Sequence, residues 1–490
     1  MFRWLTRLFS KPRPIARPMA TLTKVSRVQA RYDAAQTTDE NKKHWSVVDA
    51  LGARSENSEG VRKELRDRAR YEVANNSIAR GMSLTVANDM VGTGPRLQLV
   101  GDENKEAARR VEELFAEHCV AIKLADKLRT MRLARFSDGD PFAMFTTNDA
   151  LPTSVKLDMK VIECDQIADP FGAMTFLDPT IGEGIRFDTF GNPVAYYLYN
   201  EHPGDAYTFA MAGRWVPARS MIHWFRRERP GQIRGIPEIT SALPLFAQLR
   251  RYTLSVIAAA ESAADFAVLL STNQIPDTGA EELVADFASQ EITRRMMVAL
   301  PPGYTAAQMK AEQPVTNYAM FKREILTEIA RCLDMPYSIA AGDGSDSSYA
   351  GGRLEFQTWA MKTRVERSDC ELVVLDPLFR AWLEEAVMVP GLLPPGIDIA
   401  NLKHRWFWDQ RPHVDPQKEA NAFAALLEVN GTTYAEHYAA RGQDWEDAFR
   451  QRAKEKALMK ELGLTAADVA PVDDDEEMED EEADEEVATA

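Results

Sequence analysis

The chain has 490 residues, 45% hydrophobic and 27% charged, with 26 glycines and 26 prolines. That composition excludes collagen, coiled-coil rods and wholly disordered proteins, and it allows two to four domains or one large domain with insertions. The formal net charge of −17 argues at first against a nucleic-acid partner, but it is unevenly spread: twelve acidic and no basic residues lie between Asp473 and Glu486, and eight basic and no acidic ones between Met1 and Arg31. Residues 32–472 carry only about −13, which says little about partners.

Taken in chain order, Phe2-Arg3-Trp4-Leu5 runs straight into Arg7, Lys11, Arg13 and Arg17. With no apolar stretch between the charges, residues 1–31 read as a basic arm and not as a secretory signal. Residues 57–88 are expected to be helical, because Val61, Leu65, Ala69, Val73 and Ala74 recur at three- or four-residue spacing among Arg62, Lys63, Arg66, Asp67, Arg68 and Arg70. Val91-Gly92-Thr93-Gly94-Pro95 ends that pattern. A second amphipathic helix is expected over 104–119, with Ala108, Val111, Leu114 and Phe115 on one side. From Pro141 to Trp224 short β-type runs (142–147, 160–164, 194–199, 220–225) alternate with Gly, Pro, Asn and Asp clusters, a β-rich block.

Residues 236–270 return to helical spacing through Ile239, Leu243, Phe246, Leu249, Tyr252, Val256, Ala260, Ala263 and Ala267. Such a helix would reach roughly 50 Å, less any turn lost at Pro244, and its small-residue half from Ala258 to Ala264 invites close neighbours. A mixed insert over 275–314 and a helix over 321–333 follow. Residues 341–352, Ala-Gly-Asp-Gly-Ser-Asp-Ser-Ser-Tyr-Ala-Gly-Gly, form a loop by composition. Beyond it 354–387 is a second long helical pattern, with a kink expected at Pro377. An aromatic strand at 405–408, two or three short helices between Pro416 and Leu462, and the acidic tail complete the chain.

Chemistry is harder to find. None of the seven histidines sits four residues from another, as a helical zinc motif requires, and Gly342-Asp343-Gly344 lacks the lysine that completes a phosphate loop. No GxSxG surrounds Ser345, Ser347 or Ser348. The four cysteines, Cys119, Cys164, Cys332 and Cys370, show no CxxC spacing and read as reduced. No cofactor, metal or catalytic group is expected. No 18-residue apolar run exists, since Val256 to Leu270 is interrupted by Glu261 and Asp265, so no membrane span is expected.

Three sets of residues carry a resemblance. Leu65-Arg66-Asp67-Arg68-Ala69-Arg70, Asn75-Asn76, Ile78-Ala79-Arg80-Gly81 and Val91-Gly92-Thr93-Gly94 form the first. His223-Trp224-Phe225 with Arg229-Pro230-Gly231-Gln232-Ile233-Arg234-Gly235-Ile236-Pro237 is the second, and Val414-Asp415-Pro416-Gln417-Lys418-Glu419-Ala420 with Asn430-Gly431-Thr432-Thr433 the third. In this order they resemble the lambda family of tailed-bacteriophage portal proteins, over roughly residues 30–465.

The resemblance implies an α+β portal fold: a wing, a two-helix stem, a clip insert and a helical crown. Carried onto this chain it implies a basic arm at 1–31, wing at 32–236, first stem helix at 237–270, clip at 271–314, second stem helix at 315–340, channel loop at 341–352, kinked wing helix and strand at 353–414, crown at 415–466 and acidic tail at 467–490. It implies a self-assembled ring, usually a dodecamer, at one capsid vertex. Double-stranded DNA would pass through it without sequence preference, and its partners would be the terminase large subunit, the major capsid or scaffold protein and a head-tail adaptor, with no membrane. The setting would be the virion, and the host cytoplasm during assembly. Asp343, Ser345, Asp346, Ser347 and Ser348 are the expected channel-loop residues, with Lys322, Arg323 and Arg353 as transient phosphate contacts. Two other readings fit the composition: a soluble hydrolase with an acidic interaction tail, and a chaperone-like binder of basic proteins.

Overall fold

A computed structural model of the chain describes residues 43, 50–100, 105–169, 178, 180–205, 212–265, 269–272, 304–307, 315–345, 348–395, 402–409, 416–441, 443 and 445–464. The basic arm, the acidic tail and most of the expected clip lie outside the described residues. Two compact units divide the chain at Gly52, and everything below concerns the larger one, from Ala53 onward.

Its elements in order are α1 (Ala53–Glu56), α2 (Glu59–Asn75), α3 (Ser77–Val91), β1 (Arg96–Val100), α4 (Lys105–Ala121), α5 (Leu124–Ser137), β2 (Phe142–Thr147), β3 (Leu157–Ile162), β4 (Ile181–Gly182), β5 (Ile185–Phe187), β6 (Pro193–Tyr199), β7 (Gly213–Pro217) and β8 (Met221–His223). They continue with α6 (Leu243–Asp265), β9 (Leu269–Thr272), β10 (Tyr304–Ala307), α7 (Val315–Arg331), α8 (Tyr337–Ala341), α9 (Tyr349–Cys370), a π-turn (Glu371–Leu375), α10 (Asp376–Met388), β11 (Lys403–Phe407), α11 (Pro416–Glu428), α12 (Tyr434–Ala440) and α13 (Trp445–Leu462). The fold is a mixture of helices and small antiparallel sheets, ordered β3-β2-β8, β4-β5-β6-β7, β1-β11 and β9-β10.

The first helical stretch is two helices. Asn76, in extended conformation, closes α2 and caps α3 by accepting the Ile78 N–H at 3.1 Å, and Gly92 at φ +57° ends α3. The face that α2 buries corrects the apolar stripe expected from spacing: Val61 is exposed, whereas Arg62, Arg66, Ala69 and Glu72 go inward. The buried arginines have carboxylate partners on distant elements, and that outweighs the apolar pattern. In α4, Val111 and Phe115 are buried as expected, with Ala107 in place of Ala108.

The β block divides into two sheets with Phe142, Ile162, Ile185, Tyr196, Leu198 and Val216 packed between them. A second core gathers Phe115, Phe379, Trp382 and Trp408 from α4, α10 and the β11 end. A third joins α2 and α3 to the first half of α6, α7 and Trp359 of α9.

The long helices differ from expectation in extent. α6 covers only 23 residues, about 35 Å; a 3₁₀ turn precedes it and 269–270 already belong to β9. Pro244 lies in the first turn, where its missing N–H costs nothing, so no kink occurs. The expected second stem helix of 315–340 is α7 followed by a break and the short α8. The expected loop of 341–352 shrinks as well: Ala341 closes α8, and Tyr349 to Gly352 already form the first turn of α9. Near Pro377 the second long helix is interrupted by a π-turn in the five residues before α10. All four cysteines are free thiols, and among the described residues no helix is long and apolar enough to cross a membrane.

Candidate functional site

The loop between α8 and α9 is shaped by local hydrogen bonds. Gly342, in the left-handed region, ends α8, and the Asp343 N–H returns to the Ser338 carbonyl at 3.1 Å. The Asp343 carboxylate accepts the Ser345 N–H at 3.0 Å and its hydroxyl at 2.7 Å. Those bonds, and more weakly Arg323, hold the Asp343 carboxyl below its ordinary value. Ser348 caps α9 by accepting the Gly351 N–H at 3.2 Å, and the Ser338 hydroxyl ties α8 to Glu355 of α9 at 2.6 Å. Arg323 of α7 lies over the Tyr337 ring, 4.9 Å from its centroid. Asp343, Ser345 and Arg323 are thus brought together, with exposed Arg353 beyond Ser348, just after the first turn of α9. Lys322 is half-buried on α7, about 100° around the helix from Arg323. Asp346 and Ser347 lie outside the described residues.

The larger unit also holds a buried ionic junction that sequence reasoning missed. Asp140, fully enclosed at the start of the β block, accepts from the Arg234 guanidinium, from His223 Nε2 and from the Gly235 N–H at 3.1 Å. Burial alone would raise the Asp140 carboxyl, but Arg234 and His223 pull it well below the usual carboxylate range. Arg234 also donates to the carbonyls of Ile167 at 2.9 Å, Glu183 at 2.7 Å and Cys164 at 3.2 Å. The His223 imidazole is stacked between Phe142 and Phe225 at 4.1 and 4.4 Å, and burial keeps it neutral despite Asp140. Such an enclosed pair has no substrate face; it positions the chain. Gly139 and Gly235 let two backbones cross here: a Cβ on Gly235 would overlap the Gly139 carbonyl, and one on Gly139 the Ile236 backbone.

The arginine face of α2 extends the junction. Arg62 pairs with Glu183 at 2.6 Å and Arg66 with Asp165 at 2.6 Å, while Arg70 bridges Asp138 at 2.7 Å and Asp165 at 2.8 Å. Burial raises the Asp165 carboxyl, and Arg66 and Arg70 reverse this to about 2. The ligand atoms of Glu163, Asp165 and His202 fall within 4.8 Å of one another, a grouping not visible in sequence spacing. Two guanidinium groups already occupy Asp165, which disfavours a cation there.

A second network joins the lead-in of α6 to α9. Arg132, fully buried on α5, donates to Glu238 at 2.8 Å and to both oxygens of Glu366 at 3.0 and 3.1 Å. Arg135 reaches Glu238 at 2.8 Å and Asp369 at 3.3 Å, and the Trp224 indole donates to Asp369 at 2.8 Å. Burial favours a neutral Glu366, but Arg132 and then Lys362 hold it ionised, at about 2. The β block, the start of α6 and the helix after the loop are locked as one body. The signals for this were present: arginines at i, i+4 and i+8 on α2, at i and i+3 on α5, and the Asp138-Gly139-Asp140-Pro141 turn.

The family described as "Phage portal protein, lambda family" matches residues 40–364, a span that holds most of both networks and the loop. The probable portal protein of Halomonas phage phiHAP-1 is 25% identical over 350 residues, 66% of this chain and 65% of that one. The portal protein of Escherichia phage N15 is 25% identical over 57% and 59%, and portal protein B of Escherichia phage lambda is 21% identical over 74% and 76%. The chain therefore spans less than two thirds of the first two relatives' length. Among solved structures, a chain from the virion of a native gene transfer agent particle is 13% identical with TM-score 0.42, covering 78% of this chain and 93% of that one. One from the neck of an empty particle, computed with C6 symmetry, is 14% identical with TM-score 0.45, covering 78% and 94%.

Proposed function

The chain belongs to the lambda family of phage portal proteins, and from that premise we propose that copies of it form a ring-shaped channel at one capsid vertex. Double-stranded DNA enters through the ring under the drive of a terminase and leaves through it at ejection, and head-tail connector proteins attach to it. The role is structural. The family match over residues 40–364 carries this reading.

In this reading α6 and α7 form the stem, with β9 and β10 at the root of the clip, and α11 to α13 form the crown. The loop after α8 faces the channel, with Asp343, Ser345, Asp346, Ser347 and Ser348 on it and Lys322, Arg323 and Arg353 as exchangeable phosphate contacts. Support comes from the loop's position between α8 and α9, with Arg323 and Arg353 beside it, and from the ion pairs of Glu366 and Asp369 with Arg132 and Arg135, which fix α9 against α5. The exposed second half of α6, including Leu254 and Ile257, fits a helix that finds its remaining neighbours in adjacent copies. The ring sits in the virion after assembly in the host cytoplasm, contacting the major capsid or scaffold protein, the terminase large subunit and a head-tail adaptor.

Native mass spectrometry of the purified chain tests the reading. Twelve copies of 54.9 kDa give a particle of about 660 kDa, the usual family size, and cryo-electron microscopy should place Ser345 and Ser348 at the lumen wall. A chain that remains a monomer or dimer at every concentration would sink the proposal.

A further inference from the structure

A ring of identical copies needs two different surfaces on each copy that fit one another, since a head-to-tail contact repeats only when the knob of one chain meets the hole of the next. This chain carries one of each kind. The knob is the turn joining β5 to β6. Phe190 stands at its tip, 89% exposed, and the turn is stiff: Asp188 accepts the N–H groups of Phe190 and Asn192 at 2.8 Å each and the Asn192 side-chain amide at 3.0 Å. An aromatic ring presented on so ordered a turn loses little freedom on docking. Asp178 lies close by, through the bond from the Phe187 N–H to the Thr180 carbonyl and its own bonds with Thr180. Asp188 and Asp178 put two carboxylates on the knob, both held below their ordinary values by hydrogen bonds from Asn192 and Thr180, with Arg186 the cation that acts on Asp178.

The hole is a cleft of about 980 Å³ between α9 and the segment after β8. On the α9 side Leu354, Met361 and Val365 line one face at spacings of seven and four, 66%, 57% and 62% exposed. Opposite them is Phe225, with the Arg227 guanidinium 5.4 Å from its ring centroid, and exposed Arg226. The carboxylates that line the cleft already face cations: buried Glu366 faces Arg132, and the half-exposed Asp369 and Asp334 face Arg135 and Arg331. The arginines at the mouth are Arg227 and Arg226, the latter also 3.8 Å from Glu228.

We propose that the 188–192 turn of one copy seats Phe190 in the cleft between α9 and Phe225 of the next, with its aspartates facing the arginines at the mouth. The inference rests on the ring reading and adds to it the contact that closes the ring. It also accounts for an apolar stripe on α9 that no element of the described chain covers, next to the loop assigned to the channel.

Cysteine pairing in the full-length chain tests it. A chain carrying both Phe190→Cys and Val365→Cys should, on oxidation, give a ladder of covalent oligomers. A mixture of the two single variants should give only dimers, and the wild type, with its four native cysteines, sets the background. Phe190→Ser should lower the assembled fraction about tenfold or more, the scale expected for truncating an aromatic anchor, with unchanged circular dichroism and melting. Wild-type-like rings in Phe190→Ser together with no crosslink would overturn the inference and leave the ring reading standing. A wild-type chain that never assembles would overturn the ring reading, and the inference with it.

Discussion

At the scale of single residues, the fold depends on charges that have no access to water. Arg234 and Asp140 are both fully enclosed, so removing one strands the other, and breaking such a pair costs about 3–5 kcal/mol. Arg234→Met should therefore lower the denaturation midpoint sharply, and more than the exposed Arg68→Met; equal effects in urea titration would refute the central place given to Arg234. Acid acts on the same groups. Asp165 and Glu366 have folded-state values of about 2, below the unfolded carboxylate values of about 4. Their contribution is complete above the unfolded value and is lost as pH falls through the folded one. Melting temperature should be nearly flat from pH 7 to about 5 and drop between about 4 and 2, and Asp165→Asn should flatten that drop.

At the scale of elements, the π-turn between α9 and α10 has a local cause. Proline lacks an N–H and its ring presses on the carbonyl four residues earlier in an α-helix; widening the turn before Pro377 relieves that contact, and the Asp376 N–H bonds instead to the Glu371 carbonyl. β11 grips both ends of the turn, with Trp408 donating to Glu371 at 2.6 Å and Trp406 to Asp376 at 2.8 Å. Deleting the exposed Leu372 would restore α-helical spacing and drive Pro377 into its neighbour, a loss of about 3 kcal/mol. Adding Pro377→Ala should recover most of it, and a double-mutant cycle by chemical denaturation that shows simple additivity would contradict this account. The interruption before Pro377 was legible in the sequence because proline acts locally. α5 was not: its apolar Leu124, Leu128, Met131 and Phe136 share the helix with Arg132 and Arg135, whose partners Glu238, Glu366 and Asp369 lie about a hundred or more positions away. For the same reason α2 showed its helix in the spacing but not which face goes inward. Among the loop residues, composition gave a loop, but Ser348 as a helix cap shortened it, since serine serves both roles.

For the whole molecule, the charge balance becomes an argument about sliding. A protein that neutralises Z phosphates shows a slope of about −0.9Z in log affinity against log salt, and every phosphate held tightly must be released at each step of translocation. A chain with net charge −17, and whose loop acid Asp343 faces Arg323, should hold duplex DNA through few contacts at a time. In the proposed channel, assembled rings are therefore expected to bind DNA weakly, with a slope no steeper than about −3. Arg353→Gln should change that slope by less than about 1, equally for every sequence tested. Fluorescence anisotropy across a salt series measures both. A slope near −10, of the size seen for tight operator binding, would mean that the lumen clamps DNA, and the channel assignment of the α8–α9 loop and its basic neighbours would have to be abandoned.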